Sequence, residues 1–421
     1  MASTASPNQH VHSIPASAAP GPPQSSARAL ILVLAALTAV APLATDMYVP
    51  GFPALGRTLH ASSSAVQLTM TAFLAGLVVG QLIIGPVSDG IGRRRLLIGG
   101  TTAFAAFSVL CALAPNISVL TGARFLQGAA GAAGMVLARA VITDRFHGAE
   151  LPRYFAVLSQ IMGIAPIAAP ILGGAVLSVS SWRAVFIVLA VLGVLLLLGV
   201  LRKVPESLPP ERRHNDGIAS TFNAMGTLLK HHAFLGYALT LGFSAAALFS
   251  YIAGSSFVFE DLHGVSASMY SLIFASNALG MLIAGAFFSR YARRLRLNTL
   301  LTIGVTIAAS GALAQVVLRL VLGETLAGTW ITLFVTIASV GLIFPASMSI
   351  GQALARHASG AASAVLGGLQ FLLGALASPL VGLFGTGSSL PMALIMLIAT
   401  ACAMLALLAL ARPWQGNGEP R

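Results

Sequence analysis

Twelve apolar segments, each long enough to cross a lipid bilayer, recur along this chain of 421 residues. A hydrocarbon core of ~30 Å needs about 20 consecutive apolar residues in a helix. Such segments lie near residues 30–52, 66–87, 96–115, 117–140, 154–178, 182–201, 233–257, 268–289, 298–320, 328–351, 360–384 and 389–411. Only 8% of the residues are charged, against about 25% in typical soluble domains. The sequence therefore predicts an all-α integral membrane protein.

The twelve spans form two groups of six, separated by a polar stretch that begins RKVPESLPPERR. We predict a disordered tail over 1–28, a six-helix bundle over 29–201, a cytoplasmic linker over 202–231, a second six-helix bundle over 232–412 and a tail over 413–421. The second group echoes the first, because GPVSDGIGRRRLL begins at Gly85 and GAFFSRYARRLRL at Gly285, which aligns Arg93 with Arg293. Chance similarity between apolar sequences is the alternative. Two six-helix halves related by an axis along the membrane normal are a known design that binds ligands near mid-membrane.

The positive charges lie in short loops between the apolar segments, without interleaved aromatic residues. The formal net charge of +12 therefore does not indicate a nucleic-acid partner. If the N-terminus is cytoplasmic, most Lys and Arg residues face inward, and only Arg57, Arg183 and Arg319 face outward. The positive-inside rule then predicts that both termini are cytoplasmic. The Arg- and Ala-rich composition suggests a bacterial genome, so we expect a multi-pass protein of the bacterial cytoplasmic membrane.

Signatures of cofactors, metals and enzymes are missing from the sequence. The two cysteines, Cys111 and Cys402, lie in apolar segments of separate halves, which argues against a disulfide framework or a metal cluster. No GxxxxGK[ST] loop or nucleophile elbow occurs. We therefore expect no cofactor and no metal, and an energy source other than ATP bound by this chain.

The loop after the second span has a specific spacing of glycines and charges, formed by Gly85, Asp89, Gly92, Arg93, Arg94 and Arg95. Glycines permit a tight turn and close helix approach, and the carboxylate can accept bonds from the arginines or from a helix N-terminus. A simple topological anchor is the alternative. The pattern resembles the signature loop of the major facilitator superfamily. That resemblance implies a conformational latch that favours one face being open.

The fourth and fifth spans carry two further motifs. Arg124, Gln127 and Gly128 match the RxxQG element of the superfamily's drug–proton antiporters. The fifth span reads APIAAPILGG, in which Pro166 and Pro170 bend the helix while Gly173 and Gly174 allow a neighbour to approach. This form resembles the Bcr/CflA branch, related to bicyclomycin resistance. The segments DMYVPGFPAL, WRAVF, PESLP and YIAGSSFVFED resemble that branch as well.

Two opposite charges lie inside the predicted spans. A charge at the bilayer centre costs about 2.5–3.5 kcal/mol on insertion scales, so each needs a cavity, an ion or a partner. Asp46 in the first span and Arg124 in the fourth share a depth, since Arg124 lies about seven residues, or ~10 Å, from the outer end. We predict a common cavity in which Asp46 binds the coupling proton and pairs with Arg124 when it is deprotonated. Snorkelling to the outer interface is the alternative.

Other polar and aromatic residues complete the expected site. We predict that the substrate cavity is lined by Tyr48, Gln127, Gln160, Tyr251, Phe257 and Asn277. Helix–helix hydrogen bonds and interface anchoring are the alternatives for these residues. Arg139 and Asp144 are expected to form an ion pair at the cytoplasmic end of the fourth span and to join the latch.

The sequence and the resemblance together favour a proton-coupled exporter of small, largely apolar compounds. Its expected partners are a small-molecule substrate, protons and the lipid bilayer, and we expect a monomer. A metabolite or sugar exporter on the same scaffold is the first alternative. An integral-membrane enzyme or a receptor without transport activity is the second, and it would need a catalytic constellation or a large soluble domain.

Overall fold

The computed structural model describes residues 24–146, 150–213, 217–292, 294–355, 358–385 and 387–418. Throughout these ranges the regular structure is helical, without a strand. Most of the predicted N-terminal tail, the last three residues of the C-terminal tail and Arg293, which the internal repeat aligns with Arg93, lie outside the described residues.

The N-terminal half contains one short and six long helices. Their bounds are α1 Gln24–Asp46, α2 Phe52–Thr58, α3 Ser63–Ile91, α4 Arg93–Ala112, α5 Ile117–Arg145, α6 Glu150–Val179 and α7 Trp182–Lys203. The first predicted span is therefore broken, because α1 ends at Asp46 and a 3₁₀ turn, Val49–Gly51, leads into α2. Pro50 and Pro53 follow the break, and proline cannot donate the backbone bonds that would continue α1.

The C-terminal half contains six long helices preceded by a connecting helix. Their bounds are α8 Gly217–Leu229, α9 His232–Ser256, α10 Ala267–Tyr291, α11 Leu297–Leu322, α12 Leu326–Leu354, α13 Ser359–Leu383 and α14 Leu390–Ala406. Both α9 and α14 continue as π-helical turns, Phe257–Leu262 and Leu407–Ala411. Twelve helices of the described chain are long and apolar enough to cross a membrane. They match the predicted spans one for one and confirm the all-helical fold class.

The helix α8 was not expected within the predicted linker. Its residues Met225 and Leu228 are buried against Phe234 and Leu241 of α9 and Leu366 of α13. This apolar stripe explains why a segment too short to span a membrane still forms a helix: tertiary burial, rather than intrinsic propensity, stabilises short helices.

The described chain begins and ends on the same side of the helix bundle. Near its start, Val33 contacts the backbone of Gly199, close to the end of α7. At its end, Gly418 contacts Ile350 and Leu354, at the end of α12. We call this side, which also holds Ile91, Arg145 and Tyr291, the terminal face. The other side, which holds Thr58, Ala112, Val179, Leu322 and Leu383, is the opposite face.

Close helix packing builds each half. The backbone of Gly128 in α5 lies so near the Phe73 carbonyl of α3 that a Cβ atom would not fit. Gly341 of α12 approaches the Met281 carbonyl of α10 in the same way. Both contacts join the second and fourth membrane helices of a half, as a structural repeat requires. The two halves then meet mainly where α3 packs on α13 and α6 packs on α10.

Candidate functional site

A cavity of about 220 Å³ lies between the two halves. Side chains of α1, α3, α5 and α6 line it on one side, and side chains of α9, α10, α12 and α13 line it on the other. Its aromatic and methionine walls are Met135, Met162, Met281, Phe249, Phe274, Phe344 and Phe371. Its polar lining consists of Thr45, Asp46, Tyr251 and Gln370. Among the described lining residues, the cavity thus combines an apolar wall with a single carboxylate.

Asp46 reaches this cavity because α1 ends there. The side chain is only 4% exposed. Its carboxylate accepts a hydrogen bond from the hydroxyl of Thr45 at 2.8 Å. No cation of the described chain forms an ion pair with it. Burial without a counter-charge penalises the ionised carboxylate, so protonation or a cationic ligand would be favourable at this position.

Arg124 does not share the cavity, and its predicted pairing with Asp46 is wrong in this conformation. The guanidinium is completely buried within the N-terminal half, where it donates to Gln127 at 2.6 Å. Its central carbon lies 4.2 Å from the ring centroid of Phe73 and 4.9 Å from that of Tyr48. The chain turns after Asp46. As a result the Tyr48 ring packs on the Arg124 guanidinium, whereas Asp46 lines the cavity.

The six predicted cavity residues have three different locations. Tyr251 lines the cavity, and Asn277 lies behind it and donates to its hydroxyl at 2.9 Å. Tyr48 and Gln127 belong to the Arg124 cluster, where Gln127 also donates to Ser108 at 2.7 Å. The prediction is therefore wrong for both residues as lining groups. It is also wrong for Phe257 and Gln160, and Asn277 reaches the lining only through Tyr251.

Phe257 and Gln160 lie outside the lining. Phe257 packs against Phe52, with their ring centroids 6.2 Å apart, and so joins the halves near the opposite face. Gln160 is exposed and is absent from the cavity wall. Sequence patterns identify polar residues within spans, but the rotation of each helix decides whether such a residue faces the cavity, the bundle or the surroundings.

The signature loop on the terminal face forms a dense ionic cluster. Arg93 pairs with Asp89 at 2.6 Å and with Asp144 at 3.2 Å. Asp144 also accepts from the hydroxyl of Ser207 at 2.8 Å. The predicted Arg139–Asp144 pair is therefore wrong, because Arg93 occupies this carboxylate and Arg139 instead contacts the sulfur of Met162 at 3.8 Å.

Glu206, in the PESLP segment, caps α4 and was not expected to take part. Its carboxylate accepts from the backbone N–H of Arg93 at 2.9 Å and of Arg94 at 3.3 Å. Partial burial alone would raise the pKa of Glu206, but the backbone N–H groups of Leu208, Arg93 and Arg94 outweigh it and hold that pKa below its ordinary value. The helix N-terminus favours the same anionic form.

The remaining loop residues differ in how firmly they are held. Gly92 has φ +100° and ψ 152°, a combination essentially restricted to glycine. A Cβ atom there would lie 2.6 Å from a carboxylate oxygen of Glu206.

The side chain of Arg94 donates to the carbonyls of Val204 at 2.9 Å and Leu201 at 3.0 Å. Arg95 is exposed, and a Cβ atom on Gly85 would lie 3.9 Å from the Val136 side chain. The cluster connects α3, α4, α5 and α7 within one half.

The opposite face, in contrast, is closed by bonds between the halves. The side-chain amide of Gln67 donates to the Ala253 carbonyl at 3.1 Å and accepts from the Gly382 N–H at 2.7 Å. The hydroxyl of Thr71, one helical turn further, donates to the Ala375 carbonyl at 3.0 Å. We call Gln67 and Thr71 with these partners the polar clasp. Sequence reasoning did not identify it.

Both acceptor carbonyls of the polar clasp lie at irregularities in C-terminal helices. Ala375 is four residues before Pro379, which has no N–H to offer it. Ala253 precedes the π-helical turn, and the Phe257 N–H donates to the Gly254 carbonyl instead. Proline inside the span was the available signal for the first of these; the π turn has no sequence signal of comparable strength.

Two further contacts join the halves near the opposite face. Arg57 at the end of the first span pairs with Asp261 at 3.2 Å, and both side chains are substantially exposed. In α6, the backbone of Gly174 lies against the Ser271 side chain of α10, and Gly173 lies against the Met47 carbonyl at the break of the first span. Pro166 lines the cavity, and Pro170 is buried. The proline- and glycine-containing motif of α6 thus lies between the Asp46 segment and the other half.

Comparison with known proteins gives consistent findings. The family model described as Major Facilitator Superfamily matches residues 34–379. The chain is 39% identical over 393 residues to the "Uncharacterized MFS-type transporter YdgK" of Bacillus subtilis, with 93% of this chain and 97% of that protein covered. It is 29% identical to the "Bicyclomycin resistance protein homolog" of Haemophilus influenzae, with 92% and 96% covered. The "Multidrug resistance protein D" of Escherichia coli is 28% identical, with 93% and 98% covered.

A solved structure shares the fold. A bacterial homologue of the human lysosomal transporter Spinster, in its inward-facing and occupied conformation, superimposes with a TM-score of 0.69 at 15% identity, covering 94% of this chain and 97% of that one. At this identity the likeness shows the fold alone. The relatives named for bicyclomycin and multidrug resistance confirm the resemblance to the Bcr/CflA branch.

Proposed function

Because this chain belongs to the Major Facilitator Superfamily, and is thus a multi-pass membrane transporter rather than an enzyme, we propose that it exports small, largely apolar compounds in exchange for protons. Relatives whose names refer to bicyclomycin resistance and multidrug resistance support export of antimicrobials. One observation carries the proposal: a cavity between the halves combines apolar, aromatic and methionine walls with the single carboxylate of Asp46 among its described lining residues.

Asp46 is the proton carrier in this proposal. Protonated, the side chain is neutral, which suits a buried position without a counter-charge. Loss of the proton leaves an anion whose desolvation favours binding of a cationic or hydrogen-bond-donating substrate. Proton and substrate then compete for one group, which is what exchange requires. Flexible methionines adapt to ligands of different shapes, and Tyr251 offers an aromatic face beside the carboxylate.

Arg124 acts indirectly in this proposal, by fixing the break in the first span. Its guanidinium lies over the Tyr48 ring, two residues beyond Asp46. A desolvated cation–π contact contributes about 2 kcal/mol or more, and Gln127 holds the guanidinium in place. We therefore expect loss of Arg124 to disorder the Asp46 segment rather than to remove a charge partner.

Alternating access follows from the unequal closure of the two faces. The polar clasp and the Arg57–Asp261 pair join the halves at the opposite face, whereas the ionic cluster of the terminal face stays within one half. The excess of Arg and Lys on the terminal side supports a cytoplasmic location for that face. In this proposal the conformation described admits substrate from the cytoplasm, and rocking of the halves breaks the clasp and releases it outside. A single chain supplies both walls of the cavity, which supports a monomer.

The cavity lining also bears on the alternative substrates. Sugars need many hydrogen-bonding groups to replace their water shell. Thr45, Asp46, Tyr251 and Gln370 are the polar residues of the described lining. An apolar metabolite remains compatible with that lining, but a sugar fits it poorly.

Efflux against a gradient tests the proposal. Protein in proteoliposomes is given an imposed pH gradient, and accumulation of compounds first identified in a resistance panel is measured with and without a protonophore. Asp46→Asn should abolish accumulation driven by the gradient while substrate binding persists, because the amide cannot titrate. Glu211→Gln, at an exposed carboxylate, is the matched control and should pump normally. Full pumping by Asp46→Asn would show that this carboxylate does not carry the proton.

A further inference from the structure

Arg139 is a charge inside a membrane-spanning helix that has no acidic partner among the described residues. It lies in α5, six positions before the helix end at Arg145. Its expected partner, Asp144, is occupied by Arg93 and Ser207. Its guanidinium donates only to the sulfur of Met162, at 3.8 Å, among the contacts of the described chain. Charges inside spans are costly and usually functional, which indicates a functional role for Arg139.

The position of Arg139 on α5 directs it toward the cavity. Met135 lines the cavity one turn earlier on the same helix, and Met162, which contacts the guanidinium, lines it from α6. The helix α5 packs on α1, α3 and α4 of its own half, which leaves this side toward the gap between the halves. Arg139 itself is exposed.

Snorkelling to lipid is the competing account, and helix geometry opposes it. Leu126 is an exposed leucine on α5, 42% accessible, on the stripe that also exposes Val119. At about 100° per residue, Met135 lies about 180° from Leu126, and Arg139 lies about 140° from it. Arg139 is therefore on the cavity side of the helix and not on its lipid-facing stripe.

We propose that Arg139 is an anion-binding anchor at the terminal-face mouth of the cavity. Resting on the proposed export function, this names a substrate class: compounds that carry an amine at one end and a carboxylate at the other. The amine faces Asp46, and the carboxylate faces Arg139. Arg139 lies 15 residues, or ~22 Å along the axis, from Arg124, whose guanidinium marks the depth of the Asp46 segment. Asp46 lines the cavity, and Arg139 contacts Met162 of its wall, so an extended molecule can reach both charges.

The opposite charges of Asp46 and Arg139 also predict which ligands bind more tightly. A guanidinium can bind a carboxylate through two parallel hydrogen bonds. A ligand with an amine alone gains at Asp46 but meets the like charge of Arg139 on entry. Arg139 should therefore strengthen binding of zwitterions and weaken binding of simple cations of the same shape.

A matched pair of ligands tests the anchor. 12-Aminododecanoic acid and its methyl ester both carry an amine at one end, and only the acid carries a carboxylate at the other end. Binding of each to the purified full-length protein in nanodiscs is followed by displacement of the fluorescent amine dansylcadaverine. Arg139→Gln should weaken binding of the acid about tenfold or more, as expected for a lost hydrogen bond to a charged group, and leave binding of the methyl ester unchanged or tighter. Arg139→Lys should retain most of the zwitterion preference, and Arg145→Gln, on the same helix, should retain all of it.

Each remaining outcome decides the question. Equal loss of both ligands in Arg139→Gln would mean a structural role and would overturn the anchor. So would equal binding of the two ligands by wild type and variant, or binding of neither ligand by wild type. The export proposal is judged separately: if the contrast between the ligands is present but proton-driven accumulation of dansylcadaverine in proteoliposomes is absent, the anchor stands and the export mechanism fails.

Discussion

The two faces of the molecule are held together in different ways. On the terminal face, Arg93, Asp89 and Asp144 of the N-terminal half form a strong ionic cluster with Glu206, which lies just after the last helix of that half. On the opposite face, the polar clasp joins the two halves through neutral side-chain amide and hydroxyl groups. The stronger bonds thus stiffen one half, and the weaker bonds decide whether the halves separate.

This division suits a protein that must change conformation repeatedly. A hydrogen bond contributes about 0.5–1.5 kcal/mol net. The free energy of ligand binding can therefore offset the loss of the few bonds in the polar clasp. When the opposite face opens, water can reach the carbonyls of Ala253 and Ala375 and replace Gln67 and Thr71. The exposed Arg57–Asp261 pair adds little, since surface ion pairs contribute ~0–1 kcal/mol.

The largest effect is expected from Gly92→Ala on the terminal face. The φ and ψ values of Gly92 suit glycine alone, and strain of this kind costs about 1–3 kcal/mol. The new Cβ atom would also press on Glu206. Thermal unfolding of the purified protein should therefore shift clearly downward. Gly99→Ala, in α4 with open space around the new Cβ atom, is the control and should leave the midpoint unchanged or slightly higher. Identical midpoints for the two variants would refute a rigid terminal cluster.

A smaller, conformational effect is expected from Gln67→Leu on the opposite face. The variant keeps the side-chain volume but loses both bonds to the C-terminal half, about 1–2 kcal/mol in total. The ratio of closed to open opposite face should fall about 5- to 30-fold. Spin labels at Thr58 and Leu262 would report this as a new population at longer distance, while the unfolding midpoint changes little.

Two companion variants sharpen that measurement. Thr71→Val removes one bond of the polar clasp and should give a smaller shift in the same direction. Gln160→Leu removes an exposed glutamine that takes no part in the clasp and should leave the distance distribution as in wild type. If Gln67→Leu also matched wild type, the faces would be held closed by apolar packing, and the contrast between them would disappear.

Sequence information predicted the parts of this structure that depend on local properties. Span number follows from apolar length. The carboxylate in the first span led to the prediction of a cavity shared with Arg124, and the structure has Asp46 in a cavity lining without Arg124. The partner of Arg124 was not predictable from matched depth, because the break before Pro50 turns Asp46 and Tyr48 in different directions. The polar clasp was hidden because its acceptors are backbone carbonyls, available only through a π turn and through Pro379.

The smallest of the three effects concerns Glu206 and depends on pH. Because its pKa is held below the ordinary value near 4.5, Glu206 stabilises the folded protein above that pH, and the contribution is lost as the pH falls through the folded pKa. Glu206→Gln should therefore unfold at a lower temperature than wild type at neutral pH, with a gap that narrows below about pH 4.5. The effect is modest because the carboxylate is partly solvated. Glu211→Gln, in the same segment but exposed, should show no gap at any pH. If the difference in unfolding temperature between wild type and Glu206→Gln persisted unchanged at acidic pH, the charge of Glu206 would not be what stabilises the start of α4. The ion pairs of Arg93 would then be the charged contacts that hold the terminal face together.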